Sequence, residues 1–489
     1  MGKVYLIGGG PGDETLLTLK AAEVLGKCTA VMYDRLAGEK YLKYLNDSCE
    51  IYYCGKEPGA HSKTQEEIND LLVQLAQQGH IVGRIKGGDP YVFGRGGEEA
   101  LRLHEEGIPF EVIPGVTSAI AVLNYAGIPI THRGIAQSFH VFTGMSVDKL
   151  NINWEAVGKL EGTLVFLMGL GNLDNIVEQL ISNGKKEDMP CAVIMQGTTS
   201  KQQKAIGTLK SISNEVQKRG FTSPCIIVVG EVINFSNELG WYENKPLFGR
   251  NICITRTKKQ SDPLRKQLLD LGAEVTQINP IEIKEAKEKL TPYKDEFGEY
   301  DFVVFTSVNG VEIFFDYLIE NEIDVRTIKG KFAAIGPATL KAIRKYGIVT
   351  SILAKEFVAE DLFIELQDYV QKGDKILLPT SSQARDYLTV NLEKCGAIVD
   401  RVDIYSPEMG VAREDFDNAD IVLFTSPSTF KNTVEIIGLN KIKEKIVVAI
   451  GPITEKEMRL HDINPYVCGE YSSQAMIKKL LELAGENKI

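Results

Sequence analysis

Val4-Tyr5-Leu6-Ile7-Gly8-Gly9-Gly10-Pro11-Gly12-Asp13 is the stretch on which the reading of this chain turns. An apolar run of buried-strand character ends on a glycine-rich turn, and Leu16–Leu25 beyond it has a helical pattern. Strand, turn and helix in that order make the unit of an α/β architecture with largely parallel sheets. Outward from it the unit recurs. Thr29–Tyr33, Ile81–Ile85 and Phe110–Ile113 read as buried strands, and a second set follows at Phe139–Thr143, Thr163–Met168, Cys191–Met195 and Cys225–Val229. Ile130–Arg133 lies between the sets as a crossover. By itself the glycine turn fits either a Rossmann dinucleotide loop or a tight turn. Pro11 and the lack of a fitting third glycine after Asp13 sit badly with the first.

The 489 residues are too many for one hydrophobic core, so two to four domains are expected. A formal net charge of −11 argues against nucleic acid and membrane surfaces as partners, while leaving room for an anionic ligand held by local donors. The eight cysteines are scattered without a CxxC pair, and the six histidines form no ligand-spaced cluster with them. No metal site and reduced thiols are expected. The chain starts on a strand without a signal-peptide pattern and has no run of membrane-spanning length, so a cytoplasmic protein is expected.

Further motifs follow the glycine turn: Tyr33-Asp34-Arg35-Leu36, Gly55-Lys56, Lys86-Gly87-Gly88-Asp89-Pro90, Phe93-Gly94-Arg95-Gly96-Gly97-Glu98-Glu99, Val112-Ile113-Pro114-Gly115-Val116-Thr117-Ser118, Gly127-Ile128-Pro129-Ile130-Thr131-His132-Arg133, Thr163–Gly169 and Gln196-Gly197-Thr198. In order and spacing, residues 1–245 resemble the uroporphyrinogen-III C-methyltransferase branch of the tetrapyrrole methylases. The resemblance implies S-adenosyl-L-methionine folded between two α/β lobes, with contacts from Pro11, Gly87, Gly88, Asp89, Val92, Thr117, Ser118, Met168 and Gly197. It implies Asp34 as proton acceptor and Lys56 as proton donor, and it puts Arg95, Glu98 and Arg133 at the tetrapyrrole. The residue types suit such chemistry, since glycines admit a ligand close to the backbone and arginines bind propionate and acetate groups bidentately. An Asp that caps a turn and a solvated loop Lys are the plain alternatives for Asp34 and Lys56. Thr143-Gly144-Met145 departs from a Thr-Gly-His element common in the family.

From Asn234 to Arg250 the pattern breaks into polar and aromatic residues with Pro246 and Gly249, which reads as a linker. Beyond it the chain repeats itself. Asn251–Val275 aligns without gaps to Lys375–Val399, Asp301–Ser307 returns as Asp420–Ser426, and Phe332–Thr339 as Val447–Thr454. Strands ending in small polar residues recur at Thr306-Ser307, Gly336-Pro337, Ser381, Thr425-Ser426 and Gly451-Pro452. Such Ser and Thr residues serve as helix N-caps, and in parallel α/β lobes they also gather at the sheet edge where ligands bind. With Ala384-Arg385-Asp386 and Asp403-Ile404-Tyr405, residues 246–489 resemble uroporphyrinogen-III synthase. That implies two lobes with swapped segments, about 250–281 joined to 410–489 and about 284–407. It matches Tyr405 to a tyrosine assisting loss of the substrate hydroxyl; a half-buried core tyrosine is the alternative.

The two resemblances together imply consecutive reactions. Hydroxymethylbilane is closed to uroporphyrinogen III with inversion of the last ring, and two methylations by S-adenosyl-L-methionine then give precorrin-2. A homodimer through the methyltransferase half is expected. The alternatives are a methyltransferase for another tetrapyrrole, or for a diphthamide precursor, and a C-terminal half that is a non-catalytic two-lobed ligand-binding module.

Overall fold

The structure, a computed structural model, describes residues 2–34, 39–46, 48–55, 64–145, 152–255, 258–412 and 415–489. They build four sheets, each flanked by helices. The first contains β1 (Lys3–Gly8), β2 (Ala30–Tyr33), β3 (Glu50–Tyr53), β4 (Ile81–Lys86) and β5 (Phe110–Ile113), all parallel in the order β3-β2-β4-β1-β5. Its central strands are apolar because helices cover both faces; Val4, Leu6 and Ile7 are fully buried.

The second sheet, β6 (Phe139–Thr143), β7 (Thr163–Leu167), β8 (Pro190–Met195), β9 (Gln203–Thr208) and β10 (Cys225–Val229), runs β6-β7-β10-β8-β9. It is mixed: β10 lies antiparallel to both neighbours, and β8 and β9 are antiparallel. Sequence reasoning passed over β3 and β9 for one physical reason. Both are edge strands with a solvated face, and Gln-Lys-Ala-Ile-Gly-Thr has one fully buried residue, Ala205, so no apolar run marks them.

The other two sheets share one plan. β11 (Asn251–Ile254), β12 (Glu274–Gln277), β19 (Ile421–Phe424), β20 (Ile446–Ala449) and β21 (Tyr466–Val467) run β12-β11-β19-β20-β21. The fourth sheet repeats that order with β18 (Ile398–Met409), β17 (Lys375–Ser381), β14 (Phe302–Phe305), β15 (Lys331–Ala334) and β16 (Ile352–Leu353), and adds β13 (Ile281–Glu285) antiparallel to β18. Each repeated segment supplies the equivalent strand of each sheet. Two strands of chain join these sheets side by side, where Gly410 N–H donates to the Pro280 carbonyl at 3.2 Å.

The segment read as a linker is packed rather than loose. Tyr242 is buried between the rings of Tyr125 (4.6 Å) and Phe248 (5.2 Å), Trp241 Nε1 donates to the Asn124 carbonyl at 3.0 Å, and Leu247 N–H donates to Leu271. Direct contacts reinforce it. The Arg265 guanidinium, on the helix Lys258–Asp270, grips the Glu14 carboxylate at 3.0 and 2.6 Å, and both side chains are over nine-tenths buried. Among the described residues no helix is long and apolar enough to cross a membrane.

Candidate active sites

The first site lies at the carboxyl edge of the first sheet, where β1, β4 and β5 end together. Gly10 and Gly88 exchange two backbone hydrogen bonds of 3.1 and 2.7 Å. Only glycines allow this approach: a Cβ on Gly115 would stand 2.7 Å from Gly8 Cα and closer still to the Gly88 carbonyl oxygen. Asp89 secures the arrangement, accepting the Tyr91 N–H at 2.9 Å and the Gly115 N–H at 3.0 Å. A Cβ on Gly88 would meet nothing nearer than 3.9 Å, where Thr117 and Ser118 begin the helix Ser118–Tyr125. The Pro11–Asp13 turn reaches the second sheet, with Asp13 N–H donating to Thr198 Oγ1 at 3.1 Å, and Gly197 presses on Val122 with no room for a side chain. Gly88 and Asp89 therefore lie beside Gly10, Gly115, Thr117 and Ser118 at this edge, and Gly197 packs on the helix that Thr117 caps. Val92 and Met168 are exposed apolar side chains following β4 and β7, and Met168 is held at φ 56°.

Asp34 directly follows β2, and Arg84 Nη2 donates to its Oδ2 at 3.3 Å. Behind this contact sit three buried charges. Glu99 Oε1 accepts from Lys86 Nζ at 2.6 Å, Arg84 Nε at 3.4 Å and Gln65 Nε2 at 3.2 Å, while its Oε2 has no hydrogen-bond partner among the described residues. Burial, followed by the repulsion of Arg84, pushes the Lys86 ammonium below the usual lysine range. Arg84, Lys86 and Glu99 were not singled out from sequence. The usable signal was Ile81-Val-Gly-Arg-Ile-Lys86, two cations on one face of an otherwise apolar strand, which demands a buried anion.

Lys56 lies outside the described residues. Arg95, at φ 58°, precedes the helix Gly96–Glu105 and pairs bidentately with Glu98 at 2.9 and 2.6 Å, both side chains more than half exposed. An exposed pair of this kind contributes little, so an incoming carboxylate can compete for the guanidinium. Arg133 is exposed in a turn closed by reciprocal His132–Ala136 hydrogen bonds of 2.9 Å.

In the fourth sheet, Ser307 after β14 and Tyr405 within β18 share a 2.8 Å hydrogen bond, with the Ser381 hydroxyl also on the phenol. Thr306 and Thr380 bond at 2.9 Å beside them. Burial pushes the Tyr405 phenol above its usual value, and the two serines oppose this only in part. It therefore stays protonated at neutral pH, as a donor. Thr425 and Ser426 belong to the other C-terminal sheet, where Ser426 caps the helix Pro427–Ile437 through Thr429 N–H at 3.2 Å. Arg385 is not in the hydroxyl group; it is exposed and pairs with Glu360 at 2.7 and 3.1 Å. Ser426→Ala is therefore expected to cost about 1 kcal/mol of stability with little change in product isomer. Ser307→Ala also leaves the Tyr405 hydroxyl short of a partner, and the proportion of the inverted isomer should fall. Separating the two isomers chromatographically checks this.

Residues 3–213 match the model of the tetrapyrrole (corrin/porphyrin) methylases, and residues 262–478 that of uroporphyrinogen-III synthase. A porphyrin biosynthesis protein HemD of Ruminiclostridium josui is 35% identical over 498 aligned residues, covering 99% of both chains. The chain belongs to the family that fuses a tetrapyrrole methylase to a uroporphyrinogen-III synthase. Two methyltransferases share higher identity with this fusion enzyme over shorter alignments. A uroporphyrinogen-III C-methyltransferase of Bacillus subtilis (strain 168) is 42% identical over 359 residues, 72% of this chain and 73% of that protein. An S-adenosyl-L-methionine-dependent uroporphyrinogen III methyltransferase of Methanosarcina barkeri is 47% identical over 242 residues, 49% of this chain and 95% of that protein. The fusion enzyme therefore carries the C-methyltransferase and the synthase of tetrapyrrole biosynthesis in one chain.

Proposed function

We propose that the fusion enzyme converts hydroxymethylbilane to uroporphyrinogen III with inversion of the last ring, and then methylates that product twice to precorrin-2. The observation that carries this reading is the presence in one chain of two enzyme families whose steps adjoin, spanned end to end by one relative. In the methylase half, S-adenosyl-L-methionine is assigned to the glycine-rich loop ends after β1, β4 and β5, where a Cβ on Gly88 would meet Thr117 and Ser118 only at ordinary contact distance. When bound it supplies an already activated sulfonium methyl. What remains for the protein is alignment and proton removal. Asp34 accepts the proton released after methyl transfer, Lys56 keeps its role as donor, and Arg95 with Glu98 and Arg133 holds the carboxylated rim of the macrocycle.

In the synthase half, the protonated Tyr405 phenol, with Ser307 and Ser381, donates to the departing hydroxyl of the linear substrate. Helix N-termini after Thr306, Thr425 and Gly451 offer further donors to its carboxylates. We assign the enzyme to the cytosol, consistent with eight cysteines that are all free thiols, and assign no metal to either half. A homodimer through the methyltransferase half belongs to the same proposal and is read by light scattering.

Hydroxymethylbilane and S-adenosyl-L-methionine supplied together to the full chain should yield a twice-methylated product of the inverted isomer series. A product without added methyls, or of the non-inverted series, refutes the corresponding half. Arg95→Ala should raise KM for uroporphyrinogen III about tenfold or more, the loss of one charge-assisted hydrogen bond of about 1.5–3 kcal/mol. Affinity for S-adenosylhomocysteine should hold; an equal fall in both makes the residue structural.

A further inference from the structure

At the carboxyl end of β4, two buried cations compete for one buried anion. Arg84 and Lys86 stand two residues apart, on one face of the strand, with side chains 4% and 6% exposed. Both donate to the same oxygen of the fully buried Glu99. Lys86 holds it at 2.6 Å and Arg84 Nε stands off at 3.4 Å. The guanidinium is thereby free to send Nη2 to Asp34 at 3.3 Å and Nη1 to the Ile85 carbonyl at 3.0 Å. Two cations and two anions compensate one another in a region where an unpaired charge is costly.

We propose that Lys86 is a positioning residue for methyl transfer: by engaging Glu99 it leaves Arg84 to hold the Asp34 carboxylate toward the methylation site. This rests on Asp34 being the proton acceptor. Lys86 acts through Arg84. Without the Lys86 ammonium, Glu99 is a fully buried carboxylate left with Arg84 as its cation among the described residues, and its Oε2, which has no hydrogen-bond partner among them, can take the second prong of the guanidinium fork. Arg84 then turns from Asp34 to Glu99, and the base loses the guanidinium contact that orients it.

Competition has a signature that support of the fold lacks. If Glu99 is the rival, neutralising it should repair the loss of Lys86. The experiment is single-turnover methylation of uroporphyrinogen III by the full chain in wild type, Lys86→Met, Glu99→Gln, the double variant and Asp34→Asn. S-adenosylhomocysteine affinity and thermal midpoint are measured for each. Lys86→Met is expected to slow methyl transfer about tenfold or more, as displacement of a reacting group by a fraction of an ångström does, with near-native S-adenosylhomocysteine affinity. The double variant is expected to regain most of that rate, and Glu99→Gln alone to stay within about threefold of wild type.

A double variant no faster than Lys86→Met overturns the proposal, as does a loss of S-adenosylhomocysteine affinity that accounts for the slow rate. If Lys86→Met does not fold, Glu99→Gln decides: a large loss of rate in that variant with the fold intact also overturns it. Asp34→Asn separates this proposal from the reading beneath it. Wild-type methylation by Asp34→Asn removes Asp34 as the base and both readings fall. A slow Asp34→Asn with no rescue of Lys86→Met removes the positioning role alone.

Discussion

Arg265→Met should destabilise the full chain by about 3 kcal/mol at pH 7, because it removes the bidentate, buried partner of Glu14 across the two enzymes and leaves the carboxylate to Lys43 alone. Glu14 stands on the short turn after the glycine loop, 8% exposed, and accepts from Arg265 twice and from Lys43 once at 2.7 Å. Burial alone raises a carboxyl, but here the two cations outweigh it and hold Glu14 at about 2, against 4.5 for an ordinary glutamate. The folded value is depressed, so the stabilisation is fully present above pH 4.5 and lost as pH falls toward 2. Its size is about 3 kcal/mol at neutral pH by linkage. The variant should lose most of this acid dependence. Trp241, edge-on to Tyr125 at the junction, reports the change in urea unfolding by fluorescence. Glu14→Gln/Arg265→Met should recover much of the stability, since the buried carboxylate goes with its buried cation and only the partly exposed Lys43 loses a partner. An unchanged midpoint in Arg265→Met would show that the halves do not depend on this contact.

Gly115→Ala should weaken binding of the methyl donor by about fivefold to 150-fold and leave ring closure intact. A methyl group there meets only backbone: Gly8 Cα at 2.7 Å, Gly8 carbonyl carbon at 2.8 Å and the Gly88 carbonyl oxygen nearer still. Backbone cannot turn aside as a flexible side chain can. The loops after β1, β4 and β5 must part, breaking the reciprocal Gly10–Gly88 bonds and the Asp89 contact to Gly115 N–H. Overpacking of this kind costs about 1–3 kcal/mol, and where the donor's binding must restore the native loop positions that is a loss of about fivefold to 150-fold in affinity. Calorimetry with S-adenosylhomocysteine reads the first effect and the isomer assay the second. Native donor affinity would show that these loops do not form the donor site.

The methylase motifs and the C-terminal duplication were legible in the sequence because both are local. An apolar strand closed by a glycine-rich turn, or one followed by a Thr-Ser cap, is written in residues within a few positions of one another. The repeats at Asn251 and Lys375, at Asp301 and Asp420 and at Phe332 and Val447 carry that local code twice, and the structure uses them as equivalent strands of two sheets. Tertiary structure alone decided what depends on partners far along the chain. The edge strands Glu50–Tyr53 and Gln203–Thr208 have solvated faces, so pairing rather than hydrophobic pattern makes them strands. The linker is ordered because Tyr242 and Leu247 find apolar surface on both sides of it. Ser307 gains its second role, beyond a cap, from a tyrosine 98 residues away. Glu14 meets Arg265 across 251 residues, and Asp34 is held by Arg84 across 50. Charges buried far from their sequence neighbours are stabilised only by the partner that folding brings, and no local pattern names that partner.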